Sequence, residues 1–177
     1  MGRDRKISMY EHGSADYCRT STLELCAEEI NSRDIKGSVA EVGVYQGDFA
    51  SKLSRLFPSR RLYLFDTFNG FDKRDIEIDS EFSNDNDNAF KDTSLDQVIK
   101  IISNENLEIR QGYFPDTLNK DDYEQVFSFV SLDADLFKPI YDGLTFFTLD
   151  WQRVGIFSYM IIITLDMQGV RQQLINL

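Results

Sequence analysis

The sequence predicts an α/β protein with a mostly parallel sheet flanked by helices. Three observations predict it. Short, nearly continuous apolar runs alternate with amphipathic segments, as in βαβ units with right-handed crossovers. The first run, Val39 to Val44, passes through Gly43 and Gly47 into a helical pattern. The next run ends in Asp66, 23 positions after Gly43.

The elements follow in order. Met1 to Arg19 is polar and reads as a loose or partner-packed segment. Thr20 to Asn31 reads as a helix, with Leu23, Cys26, Ala27 and Ile30 recurring at three and four and Thr20 or Ser21 as cap. Val39 to Val44 is the first strand, and Asp48 to Leu56 a helix ended by Phe57-Pro58. Arg61 to Asp66 is a second strand, nearly continuous in apolar character as a central parallel strand would be. Thr67 to Asp92 is irregular and acidic, with eight Asp or Glu against three Lys or Arg around Ser83-Asn-Asp-Asn-Asp-Asn88. It reads either as a solvated insertion or as a lid over a ligand site. Ser94 to Ser103 is a helix burying Leu95, Val98, Ile99 and Ile102. Leu107 to Gln111 and Val126 to Asp133 are further strands, and Pro139 opens a helix over Lys138 to Phe147. All 177 residues are assigned to a single domain.

Composition narrows the function. A net charge of −11 argues against a nucleic-acid partner and suits small polar or cationic ligands. No apolar run is long enough to span a membrane, and the N-terminus lacks a signal-peptide core. Cys18 and Cys26, on a loop-to-helix segment without a metal-ligand cluster, suggest a reduced, cytoplasmic chain. His12 is the only histidine and reads as a solvated loop residue, so histidine-based catalysis has little material.

In parallel sheets ligands collect at the carboxyl edge of the strands. The strand-end candidates are Gly43, Asp66, Gly112, Asp133 and Asp135. The loop after the first strand offers unpaired backbone N–H groups and the positive end of a helix. Gly43 and Gly47 there would let backbone approach a ligand closely. Asp66 sits where such folds place an acid that accepts ribose hydroxyls. Its plainer reading is a turn aspartate before Thr67. The loop is Gly-x-x-x-Gly rather than G-x-G-x-x-G. That favours a nucleoside-like ligand such as S-adenosylmethionine over a dinucleotide and disfavours a nicotinamide-dependent oxidoreductase. Asp133 and Asp135 would suit Mg²⁺, or a turn that caps the next helix.

Four segments in order carry a family resemblance: Glu41-Val-Gly-Val-Tyr-Gln-Gly-Asp48, Leu62-Tyr-Leu-Phe-Asp-Thr-Phe-Asn-Gly-Phe71, Arg110-Gln-Gly-Tyr-Phe-Pro115 and Val130-Ser-Leu-Asp-Ala-Asp-Leu-Phe137. Together they resemble the macrocin and mycinamicin O-methyltransferases over Tyr17 to Phe147. The resemblance implies a Rossmann-like class I fold and Mg²⁺-assisted methylation of a sugar hydroxyl on a natural product or glycan. It implies that Glu41, Gly43 and Tyr45 line the methionine end of S-adenosylmethionine and that Asp66 holds the ribose. Gly47, Thr67 and Gly112 complete the expected cofactor contacts. Asp133 is the expected metal ligand and general base, and Asp135 a second metal ligand. The implied partner is a small sugar-containing acceptor, without nucleic acid or membrane, and a homo-oligomer through the N-terminal segment is compatible with it.

After Phe147 the resemblance breaks. The family would continue with Tyr-Pro-Arg-Leu, Gly-Gly and a strand ending in His-Asp-Tyr, whereas this chain has Thr148 to Ile163. One permitted back-translation of Phe147 to Ile163, shifted by two bases, encodes the missing segment, which points to a frame change near Phe146-Phe147 compensated near Thr164. Met160 and Ile161 then stand where the histidine and a metal-binding aspartate belong. A fifth strand remains expected within Gly155 to Ile163, with the later strands of a full methyltransferase sheet missing after Leu177. The expected outcome is an intact cofactor half with an incomplete Mg²⁺ site and impaired transfer. The alternative is an inactive, S-adenosylmethionine-binding or oligomerising pseudoenzyme.

Overall fold

A computed structural model describes residues 17–79, 89–102 and 104–148, together with the backbone of 161–164. Five parallel strands form one sheet in the order β3-β2-β1-β4-β5. They are β1 (Ser38–Val42), β2 (Leu62–Asp66), β3 (Leu107–Gln111), β4 (Phe127–Leu132) and β5 (Ile161–Thr164). The helices are α1 (Tyr17–Ser32), α2 (Asp48–Leu56), α3 (Lys73–Asp79), α4 (Leu95–Ile101) and α5 (Phe137–Thr148). A 3-10 turn spans Lys120–Glu124. The parallel α/β sheet expected from the alternating pattern, and the Rossmann-like fold implied by the resemblance, are the fold observed.

Residues of β1, β2 and β4 divide between two cores. Val39, Leu62, Leu64 and Phe129 pack with Leu23 and Ile30 of α1, Phe49 and Leu53 of α2, and Val98 of α4. On the opposite face Val42, Tyr63, Phe65, Phe127, Val130 and Leu132 pack with Phe114 and Phe147. Burial on both faces explains why the strands read as continuous apolar runs. Each fully buried Leu or Phe contributes roughly 1.5–3 kcal/mol.

Several expectations change. Helix α1 starts at Tyr17, so Thr20 is a buried interior residue rather than a cap, and it accepts a hydrogen bond from Lys52 Nζ at 3.1 Å. Arg19 is helical, not loose, and Cys18 and Cys26 are both on α1, as free thiols. In α4 Ile99 is exposed, and Ser94 is the cap, accepting from the Gln97 N–H.

Helix α3 lies inside the stretch read as irregular. Its buried residues are Asp75 and Asp79, so no apolar period announced it. Asp79 accepts from the Phe137 N–H at the start of α5 at 3.1 Å, which gives one buried carboxylate a structural task. The 3-10 turn was also missed. A capping box between Asn119 and Asp122 makes it. The expected fifth strand forms at Ile161–Thr164, pairing Phe129 with Ile161 beside β4. His12, the low-complexity core Ser83–Asn88 and most of the altered stretch after Thr148 lie outside the described residues. Among the described residues no helix is long and apolar enough to cross a membrane.

The strand ends are laced into one rim. The Gly112 N–H donates to the Asp66 carbonyl, the Gly43 N–H to the Phe65 carbonyl and the Asp133 N–H to the Val42 carbonyl, at 2.9, 2.9 and 2.8 Å. At Gly43, with φ +85°, a Cβ would stand 2.2 Å from the Asp133 carbonyl oxygen. At Gly47 a Cβ would meet only side chains, the nearest being Val98 Cγ1 at 3.1 Å. Gly43→Ala is therefore expected to cost about 2–4 kcal/mol, from the left-handed backbone and the backbone clash together. Gly47→Ala is expected to cost about 1–2 kcal/mol, from the backbone alone. Urea denaturation of the two variants measures the difference.

Candidate active site

The rim opens into a cavity of about 610 Å³, part of it open to solvent. It collects the ends of the first four strands. Gly43, Tyr45, Asp66, Thr67, Gly112, Asp133 and Asp135 all line it. Of the expected site residues, Glu41 and Gly47 do not. Gly47 is instead packed under α4, with Val98 and Ile101 beside it. The close approach that Gly43 permits is to the Asp133 backbone, so chain packing alone accounts for both glycines.

Five carboxylates line the cavity: Asp66, Asp72, Asp75, Asp133 and Asp135. Aromatic rings of Tyr45, Phe71, Phe90 and Tyr113 share its wall. Phe90 meets Tyr45 and Phe71 edge-on at 5.0 and 5.1 Å. The Tyr45 hydroxyl donates to Asp92 at 2.8 Å, and Gln46 Nε2 reaches the same carboxylate at 3.0 Å. The described ends of the acidic insertion thus pack onto the β1–α2 loop and help wall the cavity, which is the placement a lid requires. Three non-glycine residues lining the cavity, Tyr45, Phe90 and Asp135, have left-handed φ of 52°, 58° and 57°. Such backbone concentrates at functional sites.

Asp66 has a structural role that its spacing did not reveal. Its Oδ2 accepts from the Val44 and Tyr45 N–H groups at 2.6 and 3.0 Å, and its Oδ1 accepts from the Phe68 N–H at 2.5 Å. The Val44 and Tyr45 donors belong to the turn at the N-terminal side of α2 that had been offered to a ligand. A carboxylate accepts about four hydrogen bonds. Oδ1 therefore keeps room for one more donor.

Arg19 is the residue that sequence reading missed. Its guanidinium reaches from α1 to Asp133 Oδ2 at 2.7 Å and to Glu41 Oε1 at 3.2 Å. It also stacks on the Phe49 ring at 3.7 Å. Glu41 is buried on the α1 side of β1, and its Oε2 has no hydrogen-bond partner among the described residues. Burial pushes the Glu41 carboxyl well above the usual carboxylate range, and Arg19 opposes that shift. An arginine in an otherwise polar N-terminal stretch carries no sequence signal for a contact this distant.

The expected Mg²⁺ ligands Asp133 and Asp135 both reach the cavity. Asp133 Oδ2 is paired with the Arg19 guanidinium. Among the described residues no group of three His, Cys, Asp or Glu side chains could hold a metal ion. The described side chains therefore do not complete a Mg²⁺ site.

Comparison with known proteins fixes the family. Residues 7–174 match the macrocin-O-methyltransferase (TylF) family. The chain belongs to that family. The O-methyltransferase NovP is similar in structure, with 20% identity and a TM-score of 0.58 over 81% of this chain and 63% of NovP. CalS11, a calicheamicin methyltransferase, has 17% identity and a TM-score of 0.63 over 90% of this chain and 71% of its own. At these identities the two structures establish the fold. No curated protein matches the chain. The methyltransferase family assignment agrees with what the four quoted segments implied.

Replacing Arg19 by Met should leave Glu41 and Asp133 without their cation, at a cost of about 3 kcal/mol. The deficit should grow from acid to neutral pH. At low pH Glu41 is protonated in the folded and unfolded chain alike and needs no counter-charge, whereas as pH rises the unfolded chain ionises it and the folded chain without Arg19 must keep it protonated or bury a bare charge. Urea midpoints of wild type and variant at several pH values measure it.

Proposed function

We propose that the chain binds S-adenosylmethionine in the rim cavity and transfers its methyl group to a sugar hydroxyl of a natural product or glycan, slowly in this sequence. The observation that carries the reading is the acid-lined, aromatic-walled cavity spanning the ends of β1 to β4. A sulfonium is a cation, and clustered carboxylates beside aromatic faces favour cations. The bound cofactor supplies an electrophilic methyl group. Asp66 Oδ1 and Gly112 are the groups assigned to the nucleoside, and the Tyr45 and Phe90 rings, edge to face at 5.0 Å, line the same cavity. Arg19 holds the Asp133 carboxylate in place at the cavity wall.

A Mg²⁺ requirement is inherited from the family resemblance, with Asp133 and Asp135 as its candidate ligands. No step is assigned to the ion here, because Arg19 already neutralises Asp133. The same ion pair favours a second reading, a chain that keeps the cofactor without transferring it.

Calorimetric titration with S-adenosylmethionine, with and without Mg²⁺, paired with radiolabelled methyl transfer to glycosides, separates these. The expected outcome is cofactor binding that does not require Mg²⁺, with slow transfer. Binding without any transfer selects the pseudoenzyme. Absence of binding rejects both.

A further inference from the structure

The charged side chains that line the cavity are all of one sign. Asp66, Asp72, Asp75, Asp133 and Asp135 line it, and among the described residues no Lys, Arg or His does. Two of these acids are matched by arginines from outside the lining, Asp133 by Arg19 at 2.7 Å and Asp72 by Arg74 at 2.9 Å. The backbone donors of the rim are spent as well. Those of Val44 and Tyr45 go to the Asp66 carboxylate, and those of Gly43, Gly112 and Asp133 go to strand carbonyls. An anionic group entering here meets carboxylates and no cradle of free N–H groups on that rim.

Asp75 is where a cation is missing. It is 5% exposed and reaches the cavity wall from α3. Its hydrogen bond comes from the Tyr113 hydroxyl at 2.9 Å, a neutral donor. The charges around it are committed to one another. Arg74 binds Asp72 and Asp116 and covers the Tyr113 ring at 3.5 Å, and Lys138 of α5 pairs with Asp142. Burial pushes the Asp75 carboxyl up to about 6, with Asp72 and Asp142 adding to the rise and Tyr113 and Lys138 opposing it. At neutral pH the group is still mostly ionised, and a buried carboxylate without a counter-charge is costly. A ligand that brings a cation to it recovers that cost. The cofactor has its own assigned groups, Asp66 and Gly112. Asp75 lies on the side of α5, to which α3 is tied by the bond from the Phe137 N–H to Asp79. That side is left for the other reactant.

We propose that the acceptor is a glycoside bearing a protonated amine, with Asp75 as the group that receives the ammonium and so sets acceptor specificity. The proposal rests on the methyl-transfer reading above. It also orders the reactions around this one. A sugar still joined to a nucleoside diphosphate carries phosphates that this wall repels. The reaction that installs the amine, and the glycosyl transfer that releases the nucleoside diphosphate, therefore come before methylation.

The test uses the full chain with saturating S-adenosylmethionine at neutral pH and reads kcat/KM for the O-methyl product. The panel is a set of methyl aminodeoxyhexosides, the methyl hexosides with a hydroxyl in place of the amine, the methyl hexuronosides and a nucleoside-diphosphate hexose. The amine acceptor should exceed its hydroxyl counterpart by roughly tenfold or more, and both should exceed the two anionic acceptors. N-acetylation of the amine should abolish its advantage in the wild-type chain. Asp75→Asn should bring the amine-to-hydroxyl ratio down to about 1. The ratio is taken within one variant, so a general loss of rate or cofactor affinity cancels. Glu105→Gln removes an exposed acid before β3, at the amino edge of the sheet, and should keep the wild-type ratio. An amine acceptor within about twofold of its hydroxyl counterpart overturns the proposal, as does a hexuronoside used as well as the amine. So does an Asp75→Asn chain that keeps the preference and instead binds S-adenosylmethionine more weakly relative to S-adenosylhomocysteine, which gives Asp75 to the sulfonium. Wild-type chain that binds cofactor but methylates no member of the panel rejects the methyl-transfer reading itself, and this acceptor with it.

Discussion

The Asp66 carboxylate is the contact on which the rim depends. It stands at the end of β2 and accepts from the N–H groups of Val44, Tyr45 and Phe68. Two of these belong to the turn between β1 and α2, and the third to the turn after β2. Without it, buried backbone donors would be left unpaired, each a loss of about 1–3 kcal/mol. With it, Tyr45 is held at a left-handed φ and its ring meets Phe90. The floor of the cavity and the insertion that walls it are thus tied to one side chain.

Acids do unusual work throughout this chain. The net charge of −11 suggests a solvated acidic surface, but Glu41, Asp75, Asp79 and Asp122 are buried. Asp122 is matched by Arg110 at 2.7 Å, Glu41 by Arg19, and Asp79 by a helix N-terminus. Each of these satisfies an acid that would otherwise be costly to bury. Asp75 stands apart, its hydrogen-bond partner among the described residues being a neutral hydroxyl. Buried acids in a cavity wall are natural counter-charges for a cationic ligand.

How much of this was legible follows from what each residue signals. The strands and α2 were readable because they bury apolar residues at regular spacing, and Asp48–Leu56 has the bounds the sequence gives it. The strand-end residues were placed on one rim because parallel topology leaves them nowhere else. Helix α3 was invisible because its buried face is carboxylate. Arg19 was invisible because its partners lie on β1 and just beyond β4, far along the chain, and an ion pair has no period. Asp66 was found for its position, while its three backbone bonds could come only from the folded turn. The glycines were singled out for a close approach to a ligand, whereas Gly43 is packed against the Asp133 backbone and Gly47 against α4.

The central claim is that a nucleoside-type cofactor lies across this rim. The most direct measurement is a crystal structure of the chain with S-adenosylhomocysteine. Density for the ribose within hydrogen-bond distance of Asp66 Oδ1, with the adenine toward Gly112, is the predicted result. Clear density for the ligand outside the cavity, or a cavity holding only water at saturating ligand, would contradict it.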